Sequence, residues 1–334
     1  MNMVQKAVQN GGKLAPLVIP KGLTNGTGLM NPSIFLDGDQ ILVNLRHVNY
    51  TLVHSENKQM FPSRWGPLSY LHPEKDQRLV TENYLCKLDD NLEMTDFAHV
   101  EMLQLHEPIW EFVGLEDARL VKWDGKYYLI GVRRDTTTNG QGRMEYSEID
   151  IDWNRTKEPK VQEKRRLRIP VPGEIESYCE KNWVPVLDRP YHFIKWTCPT
   201  EFVYADPEKP ECHTVFTKPT PQPQKDQRGS SHVVKWANLY ISITHEVDLF
   251  KNYLGQKDAV YRHRLSVWDS RFNFVGLSQP FSFLDFPIEF CTGAAVQGTN
   301  LLISFGAADN AAFVLSTPRQ VVEDLILEAL VYAN

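Results

Sequence analysis

The sequence predicts an all-β chain, a five-bladed β-propeller with a C-terminal helix, and three observations carry that prediction. One pattern recurs five times: a short apolar run, a polar or Gly-containing turn, and a second strand that ends in polar or charged residues. The turns hold the Asp, Asn and Gly residues that tight hairpins need, and the flanking runs alternate with period two. Helical periodicity is scarce until the C-terminal end. Repetition of one hairpin unit around an axis is the signature of a propeller.

The elements follow in chain order. Residues 1–28 form an N-terminal extension ahead of the first repeat. The five hairpins cover residues 33–48 with the turn DGDQ, 120–134 with WDGK, 184–196 with LDRP, 232–247 with WANL, and 294–309 with QGTN. Further strands over 143–151 (RMEYSEIDI) and 262–270 (RHRLSVWDS) lie between them, enough for about four strands per unit. Five units in 334 residues leave about 67 each, more than the roughly 40–45 of a minimal blade. The surplus is loop, and loops on a rigid scaffold are where sites are built. The basic run over 157–170 (KEPKVQEKRRLRIP) reads as a solvated loop face, and the Pro- and Gln-rich segment 217–231 as an extended surface loop inside one domain of 1–334. At the end, Thr317-Pro318-Arg319-Gln320 reads as an N-cap, Pro at the first helical position and Gln at N3, opening a helix over 317–330.

Composition narrows the function classes. Lys and Arg number 36 against 42 Asp and Glu, a formal charge of −6, which does not suit a partner of phosphate backbones, so no nucleic acid is expected. No apolar stretch reaches the roughly 18 residues of a membrane span, and the N-terminus lacks a secretory signal's apolar run, so a soluble, cytoplasmic chain is expected. The Asn-x-Ser/Thr matches at Asn25, Asn49 and Asn154 then carry no weight. The five cysteines have no paired spacing, so neither disulfides nor a metal site is expected. Phosphate-loop, dinucleotide, zincin and hydrolase-elbow motifs are all absent, and no cofactor is predicted.

A propeller brings equivalent positions of its repeats to one mouth. Read this way, Asn31, Arg46, Asp117, Arg134, Lys181, Asn182, His245 and Asp309 face a common funnel. Asp117, beside Glu116 and between apolar Leu115 and Ala118, is expected to have a raised pKa suited to proton donation. The alternative is that Glu116 and Asp117 cap a turn and pair with Arg119. Lys181, His245, Arg134 and Arg143 together offer the donors that hold an anion such as phosphate. His232 and His245 are alternatively core histidines satisfied by neighbours. Trp65, Trp110, Trp183 and Trp196 offer faces for sugar rings, or else are core.

These residues also carry a resemblance. The run GLEDARLVKWDGKYYLIGVRR resembles the G-x-E-D-P-R motif of glycoside hydrolase family 130, which comprises β-mannoside phosphorylases and related β-mannosidases, and the late segment from YRHRLSVWD to the GAAD ending resembles that family's own. The strands EKNWVPVLDRPYHFIKW and LYISITHEV occupy the places of its Lys- and His-bearing strands, so the resemblance spans about residues 31–314. It implies a five-bladed propeller and an inverting attack at an anomeric carbon. Asp117 falls on the proton donor, Asn31, Arg46 and Asp309 on sugar-binding positions, and Glu116 beside them. Lys181 and His245 fall on phosphate-binding cations, with Arg143 and the hydroxyl of Tyr261. Phosphate is the co-substrate in the phosphorylases, water is the nucleophile in the hydrolases, and related propellers transfer mannose from a sugar nucleotide. Ala118 stands where the family has Pro, and an insertion over 248–258 follows His245. Glu246, next to that histidine, would repel a dianion. The expected function is glycosyl transfer from a β-mannoside to phosphate, with hydrolysis, sugar-nucleotide transfer or glycan binding without catalysis as alternatives. The partner is a small or oligomeric sugar, and self-association is left open.

Overall fold

Five blades are arranged around one axis, each beginning with the strand nearest that axis, and the first two are joined into one sheet by the parallel pairing of Val100 and Glu101 with Val161 and Gln162. The first blade contains Leu29–Asp37, Gln40–Val48, Leu79–Leu88 and Met94–Glu101. The second contains Glu116–Trp123, Lys126–Arg133, Arg143–Asp152 and Lys160–Arg168. Val184–Pro185, His192–Trp196, Thr200–Ala205 and Cys212–Lys218 make the third. The fourth has Arg228–Gly229 and Val234–Trp236 paired with Leu239–Lys251, then Lys257–Trp268 and Phe274–Leu277. Glu289–Gln297, Asn300–Ala307 and Ala311–Thr317 form the fifth. This computed structural model describes residues 1–24, 28–50, 60–62, 69–71, 78–153, 158–173, 177–221, 223, 225–251 and 257–332. Trp65, Asn25 and Asn154 lie outside the described residues.

All five hairpins read from the sequence are present, and the chain is an all-β five-bladed propeller. The strands nearest the axis are buried on both faces because each blade is covered by its two neighbours. Val43 and Leu45 of the first blade pack on Leu302 and Val314 of the fifth, while Leu42 and Leu85 face Leu120 and Leu129 of the second. Val121, Tyr128 and Tyr146 pack on Trp183 and Phe193, Ile194 and Phe202 on Tyr240 and Trp268, and Ile241 and Leu265 on Ile303 and Phe305. Five apolar seams therefore close a ring.

The N-terminal segment closes that ring. Lys13–Pro16 pairs antiparallel with Phe313–Ser316 and supplies the fourth strand of the last blade, so its edge is covered by chain from the other terminus. The helix Met3–Gln9 buries Met3, Val4 and Ala7 in the seam that also receives Val321, Val322, Leu325 and Ile326 of the C-terminal helix Arg319–Tyr332. Thr317 does not cap that helix. It ends a strand, its Oγ1 is buried without a partner, and the carbonyl of Pro318 accepts the Val322 N–H instead. Gln320 reaches forward to Asp324 at 2.9 Å rather than back to a cap.

Two further segments differ from the sequence reading. Most of the basic run is the outer strand Lys160–Arg168, held by Arg165 on Glu208 and Arg166 on Glu163, not a solvated loop. The Pro-rich segment leaves the surface at its far end, where Gln227, Ser230 and Ser231 are buried.

Candidate active site

The turn that carries Asp117 is held from five directions. Asp135 accepts the Gly114 N–H at 2.8 Å, Asn83 Nδ2 donates to the Leu115 carbonyl at 3.1 Å, and Asn44 Nδ2 donates to the Ala118 carbonyl at 3.1 Å. Ser33 Oγ accepts the Leu120 N–H at 3.0 Å. Arg119, 1% exposed, reaches across the axis: Nη1 donates to the Asp117 carbonyl at 2.8 Å and Nη2 to the Ser230 carbonyl at 2.9 Å. Arg119 thus ties the second blade to the fourth through carbonyls, and the expected pairing with the carboxylates of Glu116 and Asp117 is not what it does.

This framework supports an axial cavity of about 260 Å³. Asn31, Arg46, Glu116, Asp117, Arg134, Lys181, Asn182, His245, Tyr261 and Asp309, separated by up to 278 positions in the chain, all line it. Arg143 does not: its strand pairs with Lys126–Arg133 and its guanidinium donates to the Gly142 carbonyl. Arg228, which the sequence reading placed within a surface loop, takes a position among the cavity's cations. Four of the lining residues, Asn31, Asp117, Asn182 and Asp309, sit at φ of 44°, 49°, 62° and 48°. Asn and Asp tolerate this left-handed region better than other non-glycine residues, and strained backbone gathers at functional sites. Their residue types therefore answer both to backbone geometry and to chemistry.

One side of the cavity holds carboxyl groups. Asn31 Nδ2 and Arg46 Nη1 each donate to Asp117 Oδ1 at 2.8 Å, and Arg46 Nη2 lies 3.5 Å from Glu116. Burial drives the Asp117 pKa upward, but Arg46, Arg119, the Asn31 hydrogen bond and Lys181 outweigh it and hold the carboxyl below its ordinary range. The expected raised pKa of Asp117 is thus reversed, because the same convergence that built the cavity put a guanidinium on it. The raised carboxyl is Asp309, pushed up to about 6 by burial, with Arg46 opposing and Asp117 and Glu116 adding like charge.

The other side holds cations and a neutral histidine. Lys181, Arg228 and Arg134 make no ion pair among the described residues; Arg134 lies over the Phe112 ring at 5.2 Å and donates to the Gly140 carbonyl. His245 Nδ1 and Ser230 Oγ share a 2.7 Å hydrogen bond, and its ring stacks on Tyr261 at 5.7 Å. Burial first, then His263, Arg228 and Lys181, depress the His245 pKa far below its usual value, so the ring is neutral at pH 7. Glu246 points to the opposite face of its strand, where Arg264 Nε and Gln227 Nε2 each donate to it at 3.0 Å. The repulsion expected from Glu246 is absent because strand neighbours alternate and Arg264 balances the charge. His232 is a core histidine, with Nε2 2.9 Å from the Leu120 carbonyl and its pKa pushed down to about 3 by burial.

The aromatic lining also differs from expectation. Tyr50, Phe112, Tyr261 and Phe290 face the cavity, while Trp183 is core, and neither Trp110 nor Trp196 lines it. The described His, Cys, Asp and Glu residues form no group able to hold a metal ion. No described helix is long and apolar enough to cross a membrane.

No family model matches the chain, and no curated protein matches it in sequence. Among solved structures it is similar to a β-1,2-mannobiose phosphorylase from Listeria innocua, with 10% identity and a TM-score of 0.55, covering 95% of this chain and 100% of that one. A glycosyl hydrolase from Bacteroides ovatus gives 11% identity and a TM-score of 0.57 over 88% of this chain and 85% of that one. A third structure, from work on mannoside phosphorylases and hydrolases of glycoside hydrolase family 130, gives 11% and 0.55, again over 88% and 85%. At such identities the likeness establishes the fold: this chain has the propeller fold of those structures.

Proposed function

We propose that the protein is an inverting carbohydrate-active enzyme that transfers a β-mannosyl-type unit to inorganic phosphate. The observation that carries the proposal is the division of one open-mouthed cavity into a carboxyl side and a side with three cations that make no ion pair among the described residues, beside a neutral histidine. A sugar needs hydrogen-bonding groups and apolar faces, which Asn31, Arg46, Asp309, Tyr50 and Phe290 supply. An oxyanion needs donors with unspent charge, which Lys181, Arg228 and Arg134 supply at the cavity, with His245 and Tyr261 as further donors. The β-mannoside class comes from the named activity of the structural neighbours.

In this reading a phosphate oxygen attacks the anomeric carbon from the cation side while the glycosidic bond breaks on the other, leaving an α-configured sugar phosphate. The leaving oxygen takes a proton from the carboxyl side, with Asp117 as the catalytic carboxyl. Arg46 and Arg119 hold Asp117 ionised, so substrate binding must load it with a proton. A sugar that displaces water and a phosphate that brings negative charge both raise its proton affinity. Asp309, which protonates near pH 6, relieves the like charge next to it. Arg119 does not touch substrate; it positions the Asp117 turn.

The test is a panel of β-manno-oligosaccharides incubated with and without inorganic phosphate, following free sugar and sugar 1-phosphate. Consumption that requires phosphate is the expected result. Equal consumption without it reassigns the nucleophile to water, and no consumption with either, or with GDP-mannose, removes the enzymatic reading in favour of glycan binding.

A further inference from the structure

Ser230 is fully buried just beyond the short strand Arg228–Gly229, which pairs with Thr244 and His245. Its placement is tight. A side-chain carbon on Gly229 would stand 2.2 Å from the Asn182 carbonyl and 2.7 Å from Val184, so glycine lets this segment lie directly against the third blade. The Ser230 carbonyl accepts from Arg119 Nε at 3.1 Å and Nη2 at 2.9 Å, and Arg119 Nη1 holds the Asp117 turn. One residue is therefore tied to both sides of the axial cavity.

The Ser230 hydroxyl has one proton to donate and, among the described residues, one partner, His245 Nδ1 at 2.7 Å. A buried hydroxyl proton without an acceptor is costly. If Nδ1 carried the imidazole proton, two donors would meet at this contact and the hydroxyl proton would be left unspent. If Nδ1 is bare, it accepts that proton and both groups are satisfied. The neutral ring then carries its own proton on Nε2. That nitrogen makes no hydrogen bond among the described residues and is not sealed from solvent, and its ring lines the axial cavity beside Lys181, Arg228 and Tyr261.

We propose that Ser230 is a positioning residue that fixes His245 as the Nε2–H tautomer, so that the ring offers the cavity a donor and no acceptor. The consequence for the nucleophile rests on the oxyanion reading of this side of the cavity; the tautomer does not. A phosphate oxygen arrives charged and accepts from Nε2–H among the surrounding cations. A water must give up a proton as it attacks, and this ring has no lone pair facing the cavity with which to take it. Ser230 thereby biases the site towards an anion and against water without touching either.

The first test is long-range proton–nitrogen correlation NMR at pH 7 on protein labelled with nitrogen-15 histidine, without ligand, the His245 signals being identified by their absence from His245→Gln. In the unmodified chain Nδ1 should show the shift of a bare nitrogen and Nε2 that of a protonated one. Ser230→Ala should populate both tautomers. A protonated Nδ1 in the unmodified chain, or an unchanged tautomer in Ser230→Ala, overturns the proposal. Circular dichroism and thermal melting report folding, and the unmodified chain decides alone if Ser230→Ala does not fold. The second test is calorimetric titration with inorganic phosphate. Ser230→Ala should weaken binding about tenfold, the loss of one hydrogen bond to a charged group. In His245→Gln, whose amide has no tautomer to set, the same substitution should change binding by less than about twofold. Equal loss in both backgrounds would reduce Ser230 to a structural residue and overturn the proposal. Failure of the unmodified chain to bind phosphate would remove the oxyanion reading, while the ligand-free tautomer still decides the role of Ser230.

Discussion

Asp117, Asp309 and Arg228 each make a prediction at the scale of a single side chain. Asp117→Asn keeps acceptors for Asn31 and Arg46 but cannot carry a proton, so turnover should fall by about 10²–10⁴-fold in a protein that still folds, with a lowered melting temperature from the lost ion pair to Arg46. Steady-state kinetics beside a thermal melt check this; full activity would remove Asp117 from the chemistry. Asp309 is the opposite case, a carboxyl whose folded pKa stands near 6 against an ordinary 3.8. The folded state binds its proton more tightly than the unfolded chain, so stability is lost as pH rises from about 4 to about 6, by at most about 3 kcal/mol. Asp309→Asn should therefore melt above the wild type at pH 8, with the gap closing below pH 4; a gap independent of pH would contradict the assignment. Arg228→Ala should raise the KM for phosphate by roughly 10–100-fold, the loss of a charge-assisted contact worth about 1.5–3 kcal/mol, while leaving any reaction with water unaffected. Unchanged phosphate dependence would take Arg228 out of the anion site. Asn31, Arg46, Lys181 and His245 were legible in the sequence because each lies in or next to one of the recurring hairpins. Arg228 was not, because it follows a Pro- and Gln-rich stretch that carries no strand pattern. The charge state of Asp117 was not legible either, since it depends on Arg46, 71 positions earlier in the chain.

Among the elements, hairpins announce themselves through local turn chemistry, and all five were readable for that reason. The N-terminal strand Lys13–Pro16 is different. Its partner lies some 300 residues away, its four residues include a Pro, and nothing in KLAP alternates strongly enough to mark a strand. Pro is tolerated there because the strand is the outermost of its blade. Removing residues 1–16 should cost on the order of 5 kcal/mol, from exposing Met3, Val4, Ala7 and Ala15 and the apolar surface they cover. It should also make the chain associate, because the strand Ala311–Thr317 would become an open edge. Denaturant unfolding and size-exclusion chromatography check both effects; a truncated chain as stable and as monodisperse as the parent would show that the N-terminal strand is dispensable. The loop reading of 157–170 failed for a related reason. A charged run looks solvated in isolation, yet here Glu145, Glu148, Glu163 and Glu208 neutralise its arginines one by one.

For the whole molecule, the ring does two jobs with one geometry. Apolar side chains between blades close the circle, and polar groups at the strand starts and strained turns, Asn31, Asp117, Asn182 and Asp309, are left facing the axis. Burial on both faces of the inner strands makes the framework stiff, which suits the close alignment of anomeric carbon, phosphate oxygen and carboxyl that the proposed reaction requires. The measurement that bears most directly on this account is anomer-resolved NMR of a set of β-linked mannose disaccharides with inorganic phosphate, run in parallel on the unmodified chain and on Asp117→Asn. The account predicts that mannose 1-phosphate appears in the α configuration with the unmodified chain and is lost with Asp117→Asn, although that variant still binds the disaccharide. A β-configured product, or equal product from both proteins, would contradict it.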